Sequence, residues 1–184
     1  MYFCLNCVTG YENKVQQLVC RFLINNSSKE NKVWFPMKEN TERHNGRSVK
    51  VSRPMFPGYL FIYWSGDDEK DFPFEDIQRI KGVSKFLRYD DKSACLKGKD
   101  NLFAIWLHNN NGLIAQSKVL LQPGQKLCIV QGPLTGFDGQ VVKVDKHHRN
   151  VTVRFDVAGI INDVIFSVEF IEKNITVEKL LRTV

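Results

Sequence analysis

The sequence predicts an α+β protein that ends in a small closed β-barrel. Three observations lead to this fold class. Strand and helix patterns are mixed over residues 1–108 of the 184-residue chain. Three asparagines and a glycine at residues 109–112 are typical of a linker. Beyond them the pattern consists of five short strands and turns, and closing those strands into a barrel removes their unpaired edges.

The first predicted elements are a strand over residues 2–8 and an amphipathic helix. Thr9 and Glu12 have the spacing of a capping box, in which two side chains satisfy free amides at the start of a helix. A short strand is expected afterwards, over residues 33–36. The helix itself is indicated by apolar residues that recur at intervals of three and four: Val15, Leu18, Val19 and Phe22.

A polar hairpin and a buried strand are predicted next. Asn45 and Gly46 supply the positive φ angles of a tight two-residue turn, so residues 38–53 are expected to form the hairpin. Residues 59–64 are apolar on both faces, which indicates a central strand. A helix over 74–80, a strand over 83–87 and a helix over 100–107 complete this part.

The barrel accounts for most of the remaining chain. Its strands are expected over residues 127–130, 140–144, 150–157, 164–168 and 169–171. We therefore divide the chain into a first domain over residues 1–108, a linker over 109–119, a barrel domain over 120–175 and a C-terminal tail over 176–184.

The composition is that of an ordinary globular protein with a modest basic excess. Hydrophobic residues make up 43% and charged residues 25%, which disfavours a disordered chain, and the net charge of +6 favours a polyanionic partner. No apolar run is long enough to cross a bilayer, and the first residues lack the pattern of a signal peptide. An odd number of cysteines, five, fits a reducing compartment. We expect a cytoplasmic protein without a membrane partner.

The sequence carries no recognisable motif of an enzyme, a metal site or a cofactor site. Cys4 and Cys7 lack a second cysteine pair, and on a strand they point to opposite faces, so we expect no zinc. No histidine stands at a recognisable spacing to an acid or a nucleophile, and nucleotide-binding motifs are missing. These patterns predict a binding protein that is not an enzyme and holds no cofactor.

Three groups of residues are candidates for binding. After Phe56, Pro57 and Gly58, aromatic rings alternate at Tyr59, Phe61 and Tyr63. This aromatic set either packs in the core or in part lines an exposed groove for a partner helix. Leu134 and Phe137 protrude from tight turns and either plug the core or dock a partner. A basic set on the barrel suits nucleic acid, with a merely solvated surface as the alternative; its members are Lys126, Lys143, Lys146, His147, His148, Arg149 and Arg154.

Several motifs, in this order, resemble those of the NusG family of transcription elongation factors. Residues 2–12, Trp34-Phe35-Pro36 and residues 56–59 are similar to its N-terminal domain, and residues 130–139 to the opening of its KOW module. The resemblance implies an antiparallel sheet flanked by helices, then a linker and a five-stranded barrel. It also implies docking on the β′ clamp helices of RNA polymerase. The positions that match the docking motif are Phe56, Pro57, Tyr59 and Phe61.

The chain departs from the housekeeping members of this family in one loop. Those members carry an aromatic residue and an arginine there to meet Rho or a ribosomal protein, whereas residues 157–161 read Val-Ala-Gly-Ile-Ile. Residues 82–89 resemble specialised paralogs such as RfaH, although residues 73–75 do not match the polar element of RfaH. The chain looks more similar to the LoaP group, antitermination factors of long operons whose KOW module is associated with an RNA hairpin.

The resemblance leads to one main prediction and two alternatives. We expect a monomeric antitermination factor that binds RNA polymerase and whose barrel contacts nascent RNA such as a leader hairpin, while a DNA contact stays open. The alternatives are a general elongation factor that couples polymerase to Rho or the ribosome, and a stand-alone KOW-type RNA-binding protein. RfaH hides its groove under a helical second domain. Here the β-branched runs at residues 141–144 and 151–153 favour strands, so we expect two independent domains and an open groove.

Overall fold

A computed structural model describes residues 1–121, 127–135 and 140–171. In chain order its elements are β1 (Tyr2–Cys7), α1 (Glu12–Asn26), β2 (Lys32–Trp34), β3 (Met37–His44), β4 (Arg47–Pro54), β5 (Tyr59–Tyr63), α2 (Phe74–Gln78), β6 (Val83–Phe86), α3 (Gly98–Asn109), β7 (Leu113–Ile114), β8 (Ser117–Leu121), β9 (Leu127–Gln131), β10 (Gln140–Asp145), β11 (Asn150–Val157) and β12 (Ile160–Ile171). The predicted α+β class is confirmed. No helix in the described ranges has the length and apolar character needed to span a bilayer.

These elements form two compact units, and neither unit is continuous in sequence. The first consists of Met1–Lys38, Ser52–Ile114 and Phe155–Asn162. The second consists of Glu39–Val51 and Ala115–Arg154, together with the described residues from Asp163 onward. The end of the β3–β4 hairpin therefore belongs to the second unit, and the β11–β12 turn belongs to the first.

The first unit is built on an antiparallel sheet of four strands in the order β2-β5-β1-β6. Strand β5 lies inside the sheet, as its apolar sequence predicted. Alternation along β5 divides its side chains between two layers. Leu60 and Ile62 join the core that α1 and α2 cover, while Phe61 points to the other face and packs on Phe103 of α3, with ring centroids 5.2 Å apart.

The β3–β4 hairpin forms a second, three-stranded sheet with β7. Asn45 and Gly46 have φ angles of 50° and 77°, so the predicted two-residue turn is present. Strand β7 pairs with β3 in parallel, and the Met37 amide donates to the Gly112 carbonyl at 2.8 Å. Two strands, β7 and β8, therefore lie within residues 109–121, where the sequence suggested mainly a linker.

The second unit contains a curled five-stranded sheet in the order β10-β11-β12-β8-β9, which fits the predicted small barrel. Two details differ from the prediction. Strand β8 lies before the residues expected to form the barrel strands, and it pairs in parallel with β12. Residues 164–168 and 169–171 were predicted as separate strands, but both belong to the continuous strand β12.

Candidate functional site

The Phe-Pro-Gly-Tyr turn, residues 56–59, is held in place at Gly58. The Gly58 amide donates to Glu12 Oε1 at 2.9 Å, and the Gly58 carbonyl accepts from the Cys7 amide at 2.8 Å. Gly58 has a φ of +81°, and an added Cβ would lie 3.1 Å from both the Cys7 carbonyl oxygen and Thr9 Oγ1. Both the conformation and the space therefore require glycine at this position.

The predicted capping box is wrong, and its glutamate anchors this turn instead. Helix α1 begins at Glu12 with Tyr11 at the N-cap position, and no side chain caps it. The buried Glu12 carboxylate accepts from the Gly10 amide at 2.7 Å and from the Gly58 amide at 2.9 Å. A residue that local spacing assigned to the helix start thus fixes a turn 46 residues further along the chain.

We expect Gly58→Ala to destabilise the protein more than Gly46→Ala does. Both substitutions place a side chain at positive φ, which costs about 1–2 kcal/mol. Only Gly58 is crowded, because nothing lies within 4 Å of a Cβ at Gly46. Forcing that contact adds about 1 kcal/mol or more. Urea denaturation of the two variants measures the difference, and equal losses would show that the turn is not tightly packed.

The four residues of the predicted docking motif differ in exposure. Phe56 and Phe61 are buried, with 2% and 1% of their surface exposed. Pro57 is exposed and Tyr59 is half-buried. The first two rings therefore form the floor of this site in the structure described, and Pro57 and Tyr59 form its accessible edge.

A cluster of aromatic rings surrounds Phe56 within the first unit. We call it the Phe56 cluster, and it consists of Phe56, Phe61, Phe103, Trp106 and Phe155. The Phe155 ring centroid lies 5.8 Å from that of Phe56 and 5.6 Å from that of Phe103, in edge-to-face arrangements. Close by in the chain, Asn162 Nδ2 donates to the Met55 carbonyl at 2.6 Å. The β11–β12 turn segment thus packs against the residues expected to line a groove, which contradicts the expectation of an open groove.

The sequence did not predict that Phe155 packs on Phe56, because Phe155 is one of several apolar residues that alternate along the strand in the usual way. Val151, Val153, Phe155 and Val157 alternate along β11 and are all buried. Period-two alternation predicts which residues are inside, but it does not identify the element against which each one packs. No local signal separates Phe155 from the neighbouring core valines.

The hairpin of β10 and β11, which we call the basic hairpin, gathers most of the predicted RNA-binding residues. The strand register pairs Lys143 with Thr152 and Gln140 with Arg154, so the Lys143 and Arg154 side chains share a face. The turn exposes four more of the set: Lys146, His147, His148 and Arg149.

Hydrogen bonds restrain two members of this set. Both His148 Nδ1 and the His148 amide contact the Asp145 carboxylate, at 2.9 and 3.0 Å. Arg154 donates to both oxygens of Asp163 at 2.7 Å, and this lowers the pKa of the Asp163 carboxyl. The ion pair already satisfies much of the Arg154 guanidinium, so the exposed lysines and Arg149 are the more accessible cations.

The remaining predicted residues add less to a site. Leu134 is buried, with its amide donating to Ser117 Oγ at 3.1 Å, so the prediction that it protrudes is wrong. Lys126 and Phe137 lie outside the described residues. In the described ranges, no group of three or more His, Cys, Asp or Glu side chains is arranged to hold a metal ion. Burial raises the pKa of the Cys7 thiol to about 11, which keeps it protonated and unreactive at neutral pH.

An aromatic turn on one unit and a basic hairpin on the other are features of a protein that acts by binding. A family model described as "Transcription termination factor nusG" matches residues 1–101, more than half of the chain. The chain belongs to the NusG family. It is therefore a transcription termination/antitermination factor, and members of this family are not enzymes.

Individual relatives are distant but cover most of the chain. The transcription termination/antitermination protein NusG of Buchnera aphidicola is 24% identical over 175 residues, covering 94% of this chain and 96% of the relative. The same protein of Pseudomonas aeruginosa is 23% identical over 154 residues, 83% of this chain and 86% of the relative. The solved structure "Domain interaction in Thermotoga maritima NusG" is similar in fold, with a TM-score of 0.53 at 17% identity, covering 90% of this chain and 92% of that one.

Proposed function

We propose that this protein is a specialised member of the NusG family that binds RNA polymerase and promotes processive antitermination. The observation that carries the proposal is the Phe-Pro-Gly-Tyr turn. It presents exposed Pro57 and half-buried Tyr59 beside the Phe56 cluster, on a backbone held by Glu12. We propose that residues 1–108 and 120–175 act as two domains, the first on polymerase and the second on RNA, and that the protein acts as a monomer.

A helical partner suits this turn on physical grounds. Aromatic rings on a rigid backbone lose little conformational entropy on binding, and they are common anchors of interfaces. An apolar floor with a polar rim is also the kind of surface that receives the apolar face of a helix. The resemblance of the docking motif implies the clamp helices of polymerase as this helical partner.

Docking on the floor of the site requires the β11–β12 turn segment to move. The Phe155 ring packs edge-to-face on Phe56, so a partner helix cannot reach Phe56 while Phe155 is there. We propose that the free protein populates this covered arrangement and that polymerase selects the uncovered one. The apparent association constant then equals the association constant of the uncovered protein multiplied by the fraction of protein that is uncovered.

A single-round transcription assay tests the proposed activity. We expect the full-length protein to increase read-through of an intrinsic terminator by purified polymerase without Rho. A general elongation factor that recruits Rho would instead require Rho for its effect on termination. That alternative is disfavoured by the β11–β12 turn, where Ala158 and Gly159 form a tight turn with positive φ and the neighbouring side chains are aliphatic. A lack of effect on read-through would contradict the proposal.

The basic hairpin supports the proposed contact with nascent RNA. Lys146 and Arg149 flank its turn and are both exposed. Cations at the end of a hairpin reach phosphates without distortion of the sheet, and RNA affinity then depends on salt. Specificity would come from unpaired loop or bulge bases, because the major groove of an RNA duplex is too narrow to read.

We expect Lys146→Ala with Arg149→Ala to weaken binding to a leader RNA hairpin and to lower its salt dependence. Loss of two phosphate contacts should reduce the slope of log affinity against log salt by about 1–2. Fluorescence anisotropy at several salt concentrations measures this slope. Arg154→Ala is the control within the same hairpin, because its ion pair with Asp163 leaves it less available. An unchanged slope in the double variant would show that Lys146 and Arg149 do not contact RNA and only form a solvated turn.

A further inference from the structure

The hairpin of β3 and β4, which we call the arm, leaves one of its strands at the edge of a sheet. The order of the three-stranded sheet is β4-β3-β7, so among the described residues no strand lies beyond β4. Residues 47–50 of this strand are exposed, and 42% of the surface of Val49 is accessible. An edge strand of this kind presents unpaired N–H and C=O groups that can pair with another chain.

The register of the arm determines which backbone groups of β4 are unpaired. The two-residue turn sets His44 opposite Arg47 as a hydrogen-bonded pair. At the other end of the ribbon the Met55 amide donates to the Pro36 carbonyl at 2.8 Å, and the two pairs have the same register. Hydrogen-bonded pairs recur at every second residue, so the odd-numbered residues of β4 bond to β3. The N–H and C=O groups of the even-numbered residues therefore point away from β3.

The outer edge of β4 offers both backbone donors and backbone acceptors. In the part of β4 that belongs to the second unit, Arg47–Val51, the outward groups are the N–H and C=O of Ser48 and of Lys50. The phosphate backbone of a nucleic acid offers acceptors and would leave these carbonyls without a partner. An extended peptide offers donors and acceptors in alternation. The backbone pattern therefore favours a peptide strand over a nucleic acid.

The two faces beside this edge differ in character. Side chains alternate along β4, so Ser48 and Lys50 lie on one face, and Arg43 of β3 lies opposite Ser48 on the same face. Val49 and half-buried Val51 lie on the other face. One face is therefore basic and the other is partly apolar.

The basic face favours a partner that carries carboxylates. Lys50 Nζ contacts Glu39 Oε1 at 2.9 Å, but 67% of the Lys50 side chain is exposed. Exposed Arg43 forms no ion pair with any residue in the described part of the chain. Two copies of the chain joined through β4 would place these cations close together, which is destabilising. Charge therefore disfavours self-association and favours an acidic strand.

We propose that the outer edge of β4 receives an extended acidic segment of another protein, which adds a strand to the sheet. Main-chain hydrogen bonds provide the affinity of such an interaction, and alternate side chains provide its specificity. The carboxylates of the segment lie beside Arg43 and Lys50, and its apolar side chains cover Val49. The Thr41 amide donates to Ser167 Oγ at 3.1 Å and holds the arm before the partner binds. This interaction requires neither polymerase docking nor RNA binding.

The experiment uses the full-length protein and a fluorescent peptide of eight residues, the length of β4, in which glutamate alternates with valine. The test variant is S48P and the matched control is S48A, and neither substitution changes the charge. Proline removes an outward N–H and blocks the edge with its ring, yet an edge strand tolerates it where the N–H faces solvent. Alanine keeps the N–H. We expect fluorescence anisotropy to show that S48P binds the peptide at least about tenfold more weakly than S48A does.

Two further peptides separate backbone pairing from charge, both measured on the unchanged protein. In the first, the backbone amides of the acidic peptide are methylated, which removes its hydrogen-bond donors. In the second, lysine replaces each glutamate. We expect both peptides to bind much more weakly than the acidic peptide. Thermal melting of S48P and S48A checks that the fold is kept.

Three results would overturn the inference. Equal peptide binding by folded S48P and S48A would show that the edge of β4 is not used. Equal binding of the methylated peptide would exclude strand pairing, and this result does not depend on whether S48P folds. Failure of the unchanged protein to prefer the acidic peptide over the lysine peptide would exclude the proposed acidic partner. Because the assay contains neither polymerase nor RNA, none of these outcomes depends on the proposed function.

Discussion

Replacing Phe155 by alanine is expected to strengthen binding to RNA polymerase by about tenfold to a hundredfold. A buried phenylalanine contributes about 3–5 kcal/mol, so its loss weakens the packing of the β11–β12 turn segment on Phe56 and Phe103. Each 1.4 kcal/mol of that loss raises the uncovered fraction tenfold until uncovering is complete. Equilibrium binding of full-length protein to purified core polymerase, followed by biolayer interferometry, measures the gain.

Val153→Ala is the control for this substitution. Val153 lies on the same buried face of β11, two residues earlier, but it belongs to the second unit. We expect it to lower the melting temperature without increasing polymerase affinity. If Phe155→Ala stays folded and binds polymerase no better than the unchanged protein, the turn segment does not compete with polymerase.

Removing the Tyr59 ring is expected to weaken polymerase binding by about thirtyfold or more. Interface anchors of this kind contribute about 2 kcal/mol or more. Tyr59 is only half-buried and is the first residue of β5. The substitution should therefore lower the free energy of unfolding by much less than it lowers the free energy of polymerase binding. The same interferometry experiment measures the change, and thermal melting reports on the fold.

Tyr89→Ala is a matched control for Tyr59→Ala. Tyr89 is also half-buried, but it follows β6 and its hydroxyl donates to Asp100 Oδ2. Residues near Tyr89 pair with Tyr2, whereas Tyr59 pairs with Asn6 at the other end of β1, so the two tyrosines lie at opposite ends of the sheet. Equal effects of the two substitutions on polymerase affinity would argue against a site centred on Tyr59.

Features that depend on neighbouring residues in the sequence were the ones the sequence could predict. The arm follows from Asn45 and Gly46, whose positive φ angles a two-residue turn requires. The central position of β5 follows from apolar residues on both of its faces. Both rest on short-range rules, and the structure has both.

Features that depend on distant pairing were missed. Strand β8 pairs with β12 in parallel across about 50 residues of chain, and parallel strands carry no turn signal between them. Glu12 was assigned to a capping box because its spacing from Thr9 satisfied a local rule, yet its carboxylate binds the Gly58 amide. The packing of Phe155 on Phe56 is of the same kind, since both are simply buried aromatic residues in the sequence pattern.

The most direct test of the polymerase-binding claim is site-specific photo-crosslinking from the turn itself. p-Benzoylphenylalanine is placed at exposed Pro57 in one sample and at exposed Ile24 of α1 in a second, and each protein is irradiated with core polymerase. Docking through the Phe-Pro-Gly-Tyr turn predicts a crosslink from position 57 to the β′ subunit, at peptides of the clamp helices, and little product from position 24. Absence of the β′ crosslink from position 57, or equal yields from both positions, would contradict the account.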